Sequence, residues 1–168
     1  DAIALMPTNL YGRGDNYHPL NSHVIPALIR KFHEAKINNK KKVICWGSGN
    51  ALREFMHVDD LANACRFVLE NWNPNFDPLT NKADYYNYLN VGSGFEISIK
   101  DLANIISKYI EYKGEIEWDE TKSDGTPRKI LDTKRIKKIG WKCSINFEEG
   151  IKMTIESFRK EFRDNLRE

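Results

Sequence analysis

The segment from Ala2 to Phe32 limits the fold more than any other part of the chain. Ala2-Ile3-Ala4-Leu5-Met6 is a short apolar run of the kind that fills a buried strand, and it stops at Pro7. From Pro7 to Ser22 the chain is mostly polar, carrying Thr8, Asn9, Asp15, Asn16, His18 and Asn21. Val24, Ile25, Leu28, Ile29 and Phe32 then recur at the helical period, with Pro26 in the first turn, where a missing N–H costs nothing. A strand that opens into a polar loop beside a helix N-terminus is how open α/β sheets bind ligands. The segment therefore predicts an α/β fold in which the loop up to His23 walls a site.

The later elements alternate in the same way. Lys42 to Trp46 reads as a strand closed by the turn Gly47-Ser48-Gly49-Asn50, and Glu54 to Val58 as a second short strand. Asp59 or Asp60 is expected to cap a helix whose apolar face is Leu61, Ala64, Cys65, Val68 and Leu69. Asn71 to Tyr86 is a surface excursion, and Tyr88 to Gly92 returns as a strand. Ser98 with Asp101 signs the start of the next helix, with Ile97 and Leu102 as its hydrophobic staple. Gly114 to Trp118 alternates like an edge strand, and a polar loop runs from Asp119 to Lys129. A short helix spans Asp132 to Ile139. The last helix starts at Asn146 and carries Ile151, Ile155, Phe158 and Phe162 on one face.

Composition closes off several function classes. With 26 basic and 24 acidic residues, net charge +2 and 40% hydrophobic content, the chain can bury a core. The charges are interleaved apart from Lys40-Lys41-Lys42, so nucleic acid is not an expected partner. No apolar run approaches the ~18 residues of a membrane span. Cys45, Cys65 and Cys143 lack metal-ligand spacing, which predicts no metal site and a reducing, cytoplasmic setting.

Several strings, in order, carry a resemblance: Met-Pro-Thr-Asn-Leu-Tyr-Gly, Asn-Ser-His-Val-Ile-Pro-Ala-Leu, Trp-Gly-Ser-Gly, Arg-Glu-Phe-Met-His-Val-Asp-Asp-Leu, Asn-Val-Gly-Ser-Gly and Asp-Gly-Thr-Pro-Arg-Lys. Together they resemble the GDP-L-fucose synthase family, the epimerase-reductases within the extended short-chain dehydrogenase/reductase group. The resemblance implies a Rossmann-like fold with a smaller substrate-binding domain, NADP(H) as cofactor and GDP-4-keto-6-deoxy-D-mannose as substrate. It also implies a homodimer formed through the cofactor half. The sequence holds no Gly-x-x-Gly-x-x-Gly turn, so residues 1–168 are expected to be the C-terminal part of such a protein. On that expectation the cofactor-binding half, with its Tyr-x-x-x-Lys pair, lies outside these residues, and apolar surface is left exposed on the first strand and its neighbouring helices.

Roles follow residue by residue from the resemblance. His23 resembles the family's acid in epimerisation, where inverting a carbon beside a ketone needs a base on one face and an acid on the other. A helix-capping role is its plainer alternative. Pro7, Thr8, Asn9, Leu10 and His23 resemble the segment along the nicotinamide end of the cofactor, although a strand-exit turn also accounts for the first four. Lys31, Trp46 and Arg53 resemble the contacts to the nucleotide sugar, since a diphosphate calls for cations and a purine for a flat wall. Trp46 could equally be core at a strand end. His57, Asp59 and Asp60 are expected to order the strand-to-helix corner, and His18 and His33 to be surface or packing residues. As it stands, the chain could also be a nucleotide-sugar-binding module without turnover, or part of another extended reductase.

Overall fold

The computed structural model describes residues 2–73, 75–80 and 87–165, with side chains through residue 161. In chain order the elements are β1 (Ala4–Pro7), β2 (Asn9–Tyr11), α1 (Val24–Ile37), β3 (Lys42–Trp46), β4 (Leu52–His57), α2 (Val58–Asn71) and β5 (Tyr88–Val91). They continue as β6 (Glu96–Ser98), α3 (Ile99–Ile110), β7 (Glu115–Asp119), β8 (Arg128–Lys129), α4 (Lys134–Lys138) and α5 (Phe147–Asn165). The mixed α/β architecture with parallel pairing is the one expected for a Rossmann-like extended reductase.

Three small sheets carry the fold. β1 and β5 are parallel, with Leu5 opposite Leu89 and Pro7 opposite Val91. β4 is parallel to β2 and β8 and antiparallel to β6, and β3 is parallel to β7. Thr8 is the joint between the first two sheets. Its N–H still donates to Val91 O (2.9 Å), extending the β1–β5 ladder, while its hydroxyl donates to Glu54 O (3.1 Å) on β4. The strand expected over residues 2–6 thus runs one residue further and passes directly into a second strand. The first part of the anticipated loop, Asn9 to Tyr11, is sheet.

Two apolar cores flank these sheets. The larger packs α1, α3 and α5 together through Ile29, Phe32, Leu102, Ile106, Ile151 and Phe158, all fully buried. Side chains of that size contribute about 1.5–3 kcal/mol each on burial. The smaller core joins β1, β5, α2 and α4 through Leu89, Val91, Ala64, Val68 and Ile136. The Ser98 cap of α3 is as expected: its hydroxyl oxygen accepts from Asp101 N at 3.0 Å. At the other end, Lys36 Nζ donates to Ile110 O (2.8 Å), satisfying a carbonyl of the last turn of α3.

β1 departs from expectation in burial. It is mostly exposed rather than buried, with Met6 at 52%, because among the described residues only β5 pairs with it. Tyr88 on β5 and Leu69 on α2 are also exposed. Helix α2 is capped by His57, not by Asp59 or Asp60: Asp59 N donates to His57 Nδ1 at 3.2 Å. Burial pushes the His57 imidazole below its usual range, against the pull of Asp59 and Asp60, which suits a neutral acceptor. The excursion expected over Asn71–Tyr86 lies partly outside the described residues, as does the side chain of Phe162.

Asp60 is instead a buried staple, 1% exposed. It accepts from Ser144 N (3.0 Å) and Ser144 Oγ (2.6 Å) on one oxygen, and from Ile145 N (3.0 Å) and Cys143 Sγ (2.8 Å) on the other. Burial raises its pKa, but these donors outweigh burial and hold the carboxyl below the usual carboxylate range. Burial and the Asp60 carboxylate together push the Cys143 thiol up to about 12. Asp60→Ala strands four donors and should cost about 2–4 kcal/mol in a denaturant melt. Because the folded-state pKa is depressed, the contribution of Asp60 is present above the unfolded carboxylate range and fades as pH falls through the folded value. The gap between the two proteins should therefore narrow in acid.

Candidate functional site

A cavity of about 290 Å³ opens where β2, β3, β4, α1 and the 119–127 loop converge. Asn9 and Leu10 line it from β2, His23 and Pro26 from the start of α1, Trp46 from β3, and Arg53 and Phe55 from β4. Gly49, Ala51, Ile99, Ser123 and Asp124 complete the wall. Strand geometry explains the β4 contribution, since side chains alternate faces and residues two apart share one. Arg53 and Phe55 therefore face the cavity while Glu54 between them turns inward.

His23 occupies the N-cap position of α1 with extended backbone (φ −71°, ψ 170°). Its side chain makes no capping hydrogen bond and is exposed at the cavity rim. The helix-capping alternative for this residue is thereby removed. His18 and His33 stand elsewhere. His18 Nδ1 accepts from Leu20 N (3.1 Å) within the loop, and the His33 ring packs edge-on to Phe158 with centroids 5.2 Å apart.

Asn9 is half committed. Its Nδ2 donates to Glu54 O at 2.8 Å, beside the Thr8 hydroxyl on the same carbonyl. The amide oxygen takes no part in that bond. Pro7 and Thr8 do not line the cavity: Pro7 closes the β1–β5 pairing, and both the amide and the hydroxyl of Thr8 are used between sheets.

Trp46 is 68% exposed, so its ring is not core. Lys31 lies outside the lining. Its Nζ donates to Ile44 O (3.1 Å) and sits 5.4 Å from the centre of the Trp46 ring, a cation–π distance. Arg53 donates to its neighbour Leu52 O (2.8 Å) and to Asp124 O (3.4 Å).

Ser123, unlike Asp124, falls in none of the strings that carry the resemblance. Asp124 reaches across to the turn after β3, where its carboxylate accepts from Ser48 N (2.7 Å) and Ser48 Oγ (2.6 Å). Those bonds hold the carboxyl below the usual carboxylate range. Gly47 is required here: its φ of +79° is left-handed, and a Cβ would collide with the Asp124 carboxylate. Arg128, at the far end of the same loop, turns away from the cavity and binds Glu96 through two bonds of 2.7 Å.

Among the described residues no group of His, Cys, Asp or Glu could hold a metal ion, and no helix is long and apolar enough to cross a membrane.

Comparison with known proteins adds to this geometry. Residues 1–78 match the NAD dependent epimerase/dehydratase family. The chain is 46% identical over 162 residues to GDP-L-fucose synthase of Escherichia coli K12, covering 94% of this chain and 49% of that protein. It is 44% identical over 160 residues to GDP-L-fucose synthase 1 of Arabidopsis thaliana, covering 95% and 46% respectively. Among solved structures, the GDP-mannoheptose C4 reductase of Campylobacter jejuni with NADP bound superposes with a TM-score of 0.76 at 31% identity, over 94% of this chain and 52% of that one. The chain thus spans about half the length of the relatives it matches.

The Ser48–Asp124 contact yields a direct test. Asp124→Ala should release the 119–127 loop from the turn after β3 and speed hydrogen exchange at the Ser48 amide by about tenfold or more. Exchange should be unaltered in the α3 core, which that contact does not touch.

Proposed function

We propose that the chain is the substrate-binding, C-terminal part of an NADP(H)-dependent GDP-L-fucose synthase, within the NAD dependent epimerase/dehydratase family that residues 1–78 match. The reaction is 3,5-epimerisation of GDP-4-keto-6-deoxy-D-mannose followed by reduction at C4. The observation that carries the reading is the convergence of His23, Asn9, Trp46 and Arg53, from four separate elements, on one cavity. A bare binding module would need the tryptophan and the arginine, but not an uncapped histidine at the rim.

In this reading the GDP moiety lies between Trp46 and Arg53. The exposed indole offers a flat face to the purine, and the guanidinium offers a planar fork to the diphosphate. Lys31, within cation–π distance of the indole, acts through Trp46. The keto sugar then extends toward Asn9 and His23. Epimerisation removes the acidic hydrogen beside the ketone from one face and returns a proton to the other, and His23 returns it. Its exposed imidazole lines the same cavity as Asn9 and Leu10, and histidine is the commonest general acid in such chemistry.

NADP(H), when bound, supplies the hydride for C4. The residues present suit its nicotinamide end. Asn9 keeps its amide oxygen free of the Glu54 bond as an acceptor for a carboxamide, and Leu10 and His23 border the same space. Pro7 and Thr8 shape that segment through the sheets and not by direct contact. The cofactor half, and the homodimer formed through it, belong to the same proposal. The edge of β1 that β5 does not pair, with Met6 exposed, is where that half would dock.

His23→Gln in the protein carrying its cofactor half should lower solvent-deuterium incorporation at C3 and C5 by about 100-fold or more. NADPH oxidation on the already epimerised ketone should fall far less. Equal loss of both activities would overturn the assignment of His23. Arg53→Ala should weaken GDP binding by about tenfold or more, measured by calorimetry.

A further inference from the structure

A second opening, of about 380 Å³, lies where the end of β4 meets the start of α5, and the function proposed above makes no use of it. Phe55 is the one residue that its lining shares with the first cavity. Its walls are aromatic. Phe147, the first residue of α5, is met by Phe95 at 5.4 Å, by Tyr11 at 5.8 Å and by Phe55 at 6.2 Å between ring centroids. Phe95 is 47% exposed, so the cluster is open to water on one side. Ring faces left open in a concave site are suited to holding a flat ligand.

Two N–H donors in the lining are unused among the described residues. His57 is 3% exposed, and because its Nδ1 accepts from Asp59 N, its proton is on Nε2. Asn146 Oδ1 accepts from Glu148 N (3.0 Å), which leaves Nδ2 to donate at the rim. The other ionisable side chains of the lining are engaged. Cys143 Sγ donates to Asp60 Oδ2 (2.8 Å), and burial keeps it a thiol. The Tyr11 hydroxyl donates to Phe147 O (3.3 Å), and the Glu148 carboxylate accepts from the Tyr109 hydroxyl of α3. We propose that this crevice is a second small-molecule site, for an uncharged, flat heteroaromatic ring carrying a hydrogen-bond acceptor, the chemistry of a free nucleobase. The ring lies against Phe95 and Phe147, and its acceptor takes a hydrogen from His57 or Asn146. An aliphatic ligand would leave those donors unmet. An anion would meet the Glu148 carboxylate, and a cation would face the two N–H groups.

Quinoline is the probe: flat, uncharged at neutral pH, with a ring nitrogen that accepts. Titrated into protein labelled with ¹³C at methionine methyls, it should move the resonance of Met56, which is 1% exposed and lines the crevice, and leave those of Met6 and Met153 in place. Indole, of similar shape but with a donor in place of the acceptor, should bind about fivefold less tightly. Phe95→Ala, at a half-exposed position, should weaken quinoline by about fivefold. Saturating GDP should leave the titration unchanged, since the two linings share only Phe55. An unmoved Met56 methyl, equal binding of quinoline and indole, or displacement of quinoline by GDP would each overturn the second site. A protein that binds no GDP would overturn the reading of the first cavity instead, and the Met56 methyl would still decide the crevice.

Discussion

The arrangement depends on one buried carboxylate, Glu54. It is fully buried, and its side chain is held by main-chain donors, Gly94 N at 2.7 Å and Leu131 N at 2.9 Å. Its own carbonyl accepts from Thr8 and Asn9. One residue of β4 thus ties together the joint between two sheets, the turn after β5 and the exit from β8. Taking a carboxylate out of water costs several kcal/mol, and only well-placed donors offset it. The turn after β5 is shaped to allow this: a Cβ at Gly92 would overlap the Glu54 carboxylate. With Glu54 fixed inward, strand alternation leaves Arg53 and Phe55 no face but the cavity.

A second consequence concerns how the two sheets meet. β1 and β5 end at the level of Pro7 and Val91, and β2 begins two residues later, after Thr8, in register with Phe55 and Met56. The cavity lies just beyond that break, where main-chain groups leave one ladder for another. This is the place where a doubly wound sheet offers a ligand both polar backbone and side chains from adjoining strands.

Much of this was readable in the residues. β3 has the expected bounds, because an apolar run closed by the turn Gly47-Ser48-Gly49-Asn50 is a strictly local signal. The Ser98 and Asn146 caps were also legible, since a cap needs only residues within one turn; Asn146 Oδ1 accepts from Glu148 N at 3.0 Å. What stayed hidden was non-local. β6 and β8 are two or three residues long and exist only by pairing with β4. Asp60 was read as a cap because its true partners lie more than 80 positions away, at residues 143–145. The cavity wall followed the same division. His23, Trp46, Arg53 and Asn9 lie in recognisable strings, whereas Ala51, Ile99 and Ser123 reach the cavity only through tertiary folding.

The strap over the cavity illustrates a thermodynamic point. Its ends are pinned by the β3–β7 and β4–β8 pairings, and Asp124 fastens its middle to Ser48. A loop tethered at both ends and the centre has already lost most of its conformational entropy when the chain folds. A ligand entering beneath it meets a wall that needs little further ordering, so more of each contact it makes remains as affinity.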